Sequence, residues 1–141
     1  MNMDRSHTEE LCRAVALNND EHARLRPILA SIESAQGLEA LVPLLKELHQ
    51  ALMRHFAGEQ FPDGLFDVIE QVNPEHANSL RELEGEHSFF MHKVRDLIFH
   101  ARTPGGNNPE ELLNGAQELV RKFRVHEERE NTVVAQILET D

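Results

Sequence analysis

His55-Phe56-Ala57-Gly58-Glu59 and His126-Glu127-Glu128-Arg129-Glu130 repeat one step, a histidine followed four residues later by a glutamate. On an α-helix such residues stand one turn apart on one face, so each step projects an imidazole and a carboxylate into the same space. A single pair of this kind is ordinary on a wet helix face. Register makes these two different. Stepping back from His126 by threes and fours gives Phe123, Leu119, Ala116 and Leu112, and stepping forward gives Glu130, Val133 and Ile137. His55 and Glu59 likewise continue the series Leu41, Leu45, Leu48, Leu52. Both pairs therefore face inward, where an uncompensated carboxylate is costly to desolvate.

The surrounding chain is helical throughout. In the first helix, Leu11, Val15, Asn18, His22, Leu25, Leu29 and Ile32 form one stripe to about residue 35, behind a capping box at Ser6-x-x-Glu9. Asn18-Asn19-Asp20 offers an alternative start, but the stripe keeps phase through Asn18, which favours continuity; Pro27 predicts a kink. Gln36-Gly37 ends this helix, and a second spans about 38–60. Phe61-Pro62-Asp63-Gly64 breaks it, and Leu65–Gln71 reads as one or two further turns. Asn73-Pro74-Glu75 caps a third helix running to about Ala101, with Leu80, Leu83, His87, Phe90, Val94 and Leu97 on its seam. After the breakers of 102–109, Asn108-Pro109-Glu110 caps the fourth. No strand pattern is present. Four helices with short connections imply an all-α, up-down-up-down four-helix bundle.

Length and composition agree with one domain over 1–141. Hydrophobic residues make up 40% and charged residues 28%, as in a globular protein, and no apolar run approaches the roughly 20 residues of a membrane span. The N-terminus lacks the apolar core of a signal peptide, so a cytoplasmic setting is expected. One cysteine, Cys12, excludes an intrachain disulfide and a thiolate-rich zinc site. A formal net charge of −11 argues against nucleic acid and anionic membranes as partners.

Each long helix carries one seam histidine. Counted from the turns at Gly37 and at the Pro-Gly-Gly stretch, His22 lies about 15 residues away, His55 about 18, His87 about 17 and His126 about 18, so at about 1.5 Å per residue they share one level. Four imidazoles and two carboxylates at one level are a ligand set for a pair of metal ions, and carboxylates able to bridge favour a dinuclear centre.

In this ordered pattern of His22, His55, Glu59, His87, His126 and Glu130 the chain resembles the hemerythrin-like, HHE cation-binding family over nearly its whole length. The resemblance implies two iron ions, oxo- or hydroxo-bridged, with Glu59 and Glu130 bridging and two histidines on each iron; which histidines share an iron is left open. Met91 and Asn131 stand where oxygen carriers of the family place a fifth histidine and an aspartate, so the pattern is similar to the branch that does not carry oxygen. His92 is no substitute, because five residues from His87 is about 140° round the helix. About four protein ligands and a bridge leave each iron roughly one open position.

The expected function is binding of non-haem di-iron, to sense or handle oxygen, nitric oxide, peroxide or iron, with a small gaseous or peroxide ligand as partner. A di-iron enzyme with catalase-like or nitric-oxide-reducing activity is one alternative, and a metal-free helical interaction module is another. Phe56, Phe90 and Phe123 are placed to keep the pocket dry, and the absence of tyrosine excludes a tyrosyl radical. Glu21, Glu86 and the Glu127-Glu128 run are read as solvated.

Overall fold

The computed structural model of the chain describes residues 5–60, 64–103, 105 and 108–139. Its elements are α1 (Arg5–Ser34), α2 (Leu38–Gln60), α3 (Leu65–Val72), a 3₁₀ turn (Pro74–His76), α4 (Ala77–Arg102) and α5 (Pro109–Glu139). The helix α1 is continuous, running through both Asn18 and Pro27. It already includes Arg5, and the Ser6 side chain lies outside the described residues, as do Phe61-Pro62-Asp63 of the expected break.

Local chemistry accounts for the ends. Asn73 Oδ1 accepts from the Glu75 amide at 3.2 Å, and Asn108 Oδ1 accepts from the Glu110 amide at 2.8 Å, each satisfying a donor that a helix start leaves open. The expected third helix begins more tightly than its sequence suggests: Pro74–His76 forms a 3₁₀ turn before α4. At the far end of α4, Thr103 Oγ1 donates to the Phe99 carbonyl at 2.7 Å. Gly105 then takes φ +68°, a left-handed conformation that glycine adopts without a Cβ clash.

The long helices pack in a ring, α1 on α2, α2 on α4, α4 on α5 and α5 back on α1, so neighbours in sequence are neighbours in space. This is the expected up-down-up-down bundle. It places the two helices that carry the His-x-x-x-Glu steps, α2 and α5, on a diagonal. The short α3 lies across α1 and α2 and buries Leu65, Phe66, Val68 and Ile69.

Two apolar clusters fill the interior. One includes Leu25, Leu52, Phe56, Phe90 and Phe123; the other includes Leu11, Leu65, Leu83, Val133 and Ile137. On α1, α4 and α5 the seam polar residues fall between members of the two clusters, and on α2, which contributes only to the first cluster, His55 and Glu59 lie at its end. Asn18 and His22 lie between Leu11 and Leu25, and His87 between Leu83 and Phe90. His126 and Glu130 lie between Phe123 and Val133. The bundle is thus two hydrophobic blocks with one polar layer between them.

Candidate metal centre

That layer is dry. His22, His55, Glu59, His87, His126 and Glu130 are each no more than 4% exposed. Four helices deliver them because each seam histidine sits at a core position of its own stripe, and the second residue of each His-x-x-x-Glu step follows one turn later.

Their ligating atoms form two overlapping groups, His22, His55, Glu59 and Glu130, and Glu59, His87, His126 and Glu130, each within 4.8 Å of one another. Glu59 Oε1 stands 3.5 Å from His55 Nε2 and 3.3 Å from His87 Nε2, reaching into both groups. Glu130 spans them with two oxygens: Oε1 is 3.2 Å from His22 Nε2, and Oε2 is 3.3 Å from His126 Nε2. Helix order decides the histidine pairing that the sequence leaves open. Neighbours α1 and α2 bring His22 to His55, α4 and α5 bring His87 to His126, and the diagonal glutamates lie between the pairs.

The donor set fits a cation. His55 Nε2, His87 Nε2, His126 Nε2, both oxygens of Glu59 and Glu130 Oε2 are buried without a hydrogen-bond partner among the described residues. Each such orphan costs about 1–3 kcal/mol, and buried polar groups are ordinarily satisfied. Positive ions among them would satisfy all six atoms together. Electrostatics point the same way. Burial pushes the His55 imidazole down to about 4 and the His87 imidazole down to about 3, so both stay neutral, as metal ligands must. Burial and the adjacent Glu130 hold Glu59 well above the usual carboxylate range. Burial also works against ionised Glu130, but contacts with Glu59, His126 and His22 outweigh it and hold Glu130 well below that range. A cation would relieve this crowding of like charges.

A family sequence model described as the hemerythrin HHE cation-binding domain matches residues 13–138. The chain belongs to the hemerythrin family. No curated protein and no solved structure shows a significant match to it. The match spans every residue of the polar layer, and the domain it describes is a cation-binding one.

In this hemerythrin-family chain two of the histidines are held from behind. His87 Nδ1 donates to Gln60 Oε1 at 2.9 Å, and His126 Nδ1 donates to Glu86 Oε1 at 2.8 Å. In the neutral ring this puts the proton on Nδ1 and turns the Nε2 lone pair toward the centre. Burial opposes charge on His126, but its contacts with Glu130 and Glu86 prevail and raise its pKa. Asn18 Nδ2 donates to Glu130 Oε1 at 3.0 Å. Aromatic rings close the His87–His126 half: Phe56 stacks on His87 at 3.8 Å between centroids and Phe66 at 5.6 Å, while Phe90 and Phe123 lie 5.3 and 5.8 Å from His126.

Two sequence expectations are corrected here. Glu86 is not merely solvated, because it bonds across to His126 on α5 rather than to its chain neighbour His87, and Arg129 pairs with its other oxygen. Glu127 is 8% exposed and lies 3.6 Å from His22 Nδ1, and only Glu128 of that run is exposed. Burial raises the pKa of Glu127. Glu21, by contrast, pairs with Arg54 at 3.3 Å, and His92 is exposed as expected. Gln60 and Phe66 were not legible as site residues. Gln60 ends α2 one residue past Glu59, and Phe66 reaches the site only through the packing of α3.

Proposed function

We propose that this chain is a non-haem di-iron protein that senses or handles oxygen, nitric oxide, peroxide or iron. The observation that carries the reading is the pair of donor quartets sharing Glu59 and Glu130. His22 and His55 would hold one iron, His87 and His126 the other, with the two carboxylates bridging. Iron bound there supplies a reducible pair of Lewis-acidic centres with positions left for a small exogenous ligand.

The protein's own part is positional. Gln60 and Glu86 hold the protons of His87 and His126 on Nδ1, Asn18 anchors Glu130, and Phe56, Phe66, Phe90 and Phe123 exclude water from one half. The orphaned donors weigh against a metal-free interaction module, because a self-sufficient polar network satisfies its members.

Elemental analysis with an ultraviolet-visible spectrum, on protein purified in air without added metal, tests the reading. Two irons per chain with oxo-bridged ferric bands are expected, and a Glu59→Gln, Glu130→Gln double variant should lose them. Zinc alone, or no metal, would sink the di-iron assignment.

A further inference from the structure

A cavity of about 570 Å³ lies in the outer groove between α2 and α4, a size that suits a small organic ligand. Arg95 and Arg102, which line it, stand 8 and 15 residues past His87, about 12 and 22 Å along the helix axis, so the groove is separate from the polar layer. Ile98 and Phe99 fall between the two arginines on α4, and His49 closes the α2 side. Among the described residues no carboxylate lines it.

A cationic groove stands out on a chain of net charge −11. Arg54, Arg124 and Arg129 each pair with a glutamate, whereas Arg95 and Arg102 make no ion pair among the described residues. Arg95 Nε instead donates to His49 Nε2 at 3.1 Å, which fixes the side chain and leaves the four terminal N–H groups of its guanidinium for another acceptor. Burial and the guanidinium hold the His49 pKa below its ordinary value, so its lone pair stays available to Arg95. Arg95 and Arg102 are seven residues apart, close to two full turns, and so share one stripe of α4. Phe99, one turn past Arg95, is 65% exposed. Its ring offers a flat ligand a face to stack on, and the two guanidiniums offer an oxyanion their planar forks.

We propose that this groove binds a small organic anion, a flat apolar body bearing a phosphate or carboxylate, with the acidic group on Arg95 and Arg102 and the body against Phe99 and Ile98. Charge complementarity decides the class. A cation would be repelled, a neutral apolar molecule would leave both guanidiniums unmet, and bare phosphate would forgo the apolar contact. The acidity of the whole chain repels polyanions, which favours a ligand of one or two charges over a nucleic acid or an acidic protein. The site is independent of metal at the polar layer.

Naphthyl phosphate and naphthoate serve as probes on the full chain, titrated by calorimetry and followed by amide chemical shifts. Saturable binding of at least one is expected, with shifts at Arg95, Phe99 and Arg102, and binding of only one assigns the headgroup. Neutral naphthol and inorganic phosphate should each bind about tenfold more weakly or worse. Arg95→Gln and Arg102→Gln should each weaken the naphthyl anion about tenfold or more, and Phe99→Ala should weaken it where Phe99→Tyr keeps it. Arg24→Gln, at a 66% exposed cation on α1, should change nothing. Unchanged melting curves separate loss of binding from loss of fold in these surface variants. No saturable binding of either probe, full binding in the Arg95→Gln, Arg102→Gln double variant, or equal binding of naphthol overturns the proposal. So does saturation by the peptide Glu-Leu-Leu-Glu where both naphthyl anions fail, which would give the groove to a protein segment.

Discussion

Glu86 shows how a residue can be misread from its neighbours. Adjacent helix positions diverge by about 100°, so a glutamate next to a ligand histidine cannot serve that histidine, yet it can serve one on the facing helix. Glu86→Ala should weaken metal affinity about 10–100-fold, measured by competition with a chromophoric chelator. Unchanged affinity would mean that the 2.8 Å contact to His126 does not orient the ring. Phe56 acts through packing. Its ring is 4% exposed and stacks on His87 while touching Phe90 and Phe123, so Phe56→Ala should cost about 3–5 kcal/mol through the cavity left behind. A shifted denaturant midpoint at constant m-value is the expected readout.

At the scale of elements, Asn108 caps α5 and Asn73 caps the 3₁₀ turn that leads into α4, and the two starts set the height of His126 and His87 relative to the turns. Asn108→Ala removes the acceptor for the Glu110 amide and should cost about 1 kcal/mol, seen as a melting temperature a few degrees lower with metal content retained. Loss of metal in that variant would show that the cap governs the register of the site as well as helix stability. The helix α3 contributes differently. Phe66 gives it a ring over His87, and Leu65 helps to line a cavity that α1, α2 and α3 leave beside His55 and Glu59.

For the whole molecule, metal bound only by the folded state adds stability by mass action, so chelation should lower the melting temperature; no change would remove the metal from the fold's energetics. The metal-free protein has a distinct acid response. His55 and His87, held at about 4 and about 3 against an ordinary 6.5, bind fewer protons folded than unfolded, so they lose stability as pH falls from 6.5. Glu59 and Glu127, held above 4.5 by burial, bind more protons folded and gain stability as pH falls to 4.5, whereas His126, raised above 6.5 by Glu130 and Glu86 against the effect of burial, has its gain in place below 6.5. The two sets oppose one another between about pH 6.5 and 4.5. Below 4.5 the gains are complete, while Glu130, held low, joins His55 and His87 in losing stability toward about pH 3. Denaturation of metal-free protein followed against pH should therefore show a shallow profile above about 4.5 and a steep fall beneath it. A steep fall already at pH 6 would mean that the imidazoles, not the carboxylates, dominate.

The bundle and the height of its polar layer were legible in the sequence, because helical period is local: His55 and Glu59, or His126 and Glu130, share a face whatever they pack against. Asn73-Pro74 and Asn108-Pro109 mark their helix starts for the same reason. Which histidines stand together was not legible, since that depends on how four helices are ordered in space, and only the ring of α1, α2, α4 and α5 pairs His22 with His55 and His87 with His126. Glu86, Glu127 and Gln60 reach their histidines across helix interfaces, and the cavity beside His55 and Glu59 exists only where α1, α2 and α3 fail to fill the space between them. Periodicity along one helix places a side chain on a face; what that face meets is decided by packing.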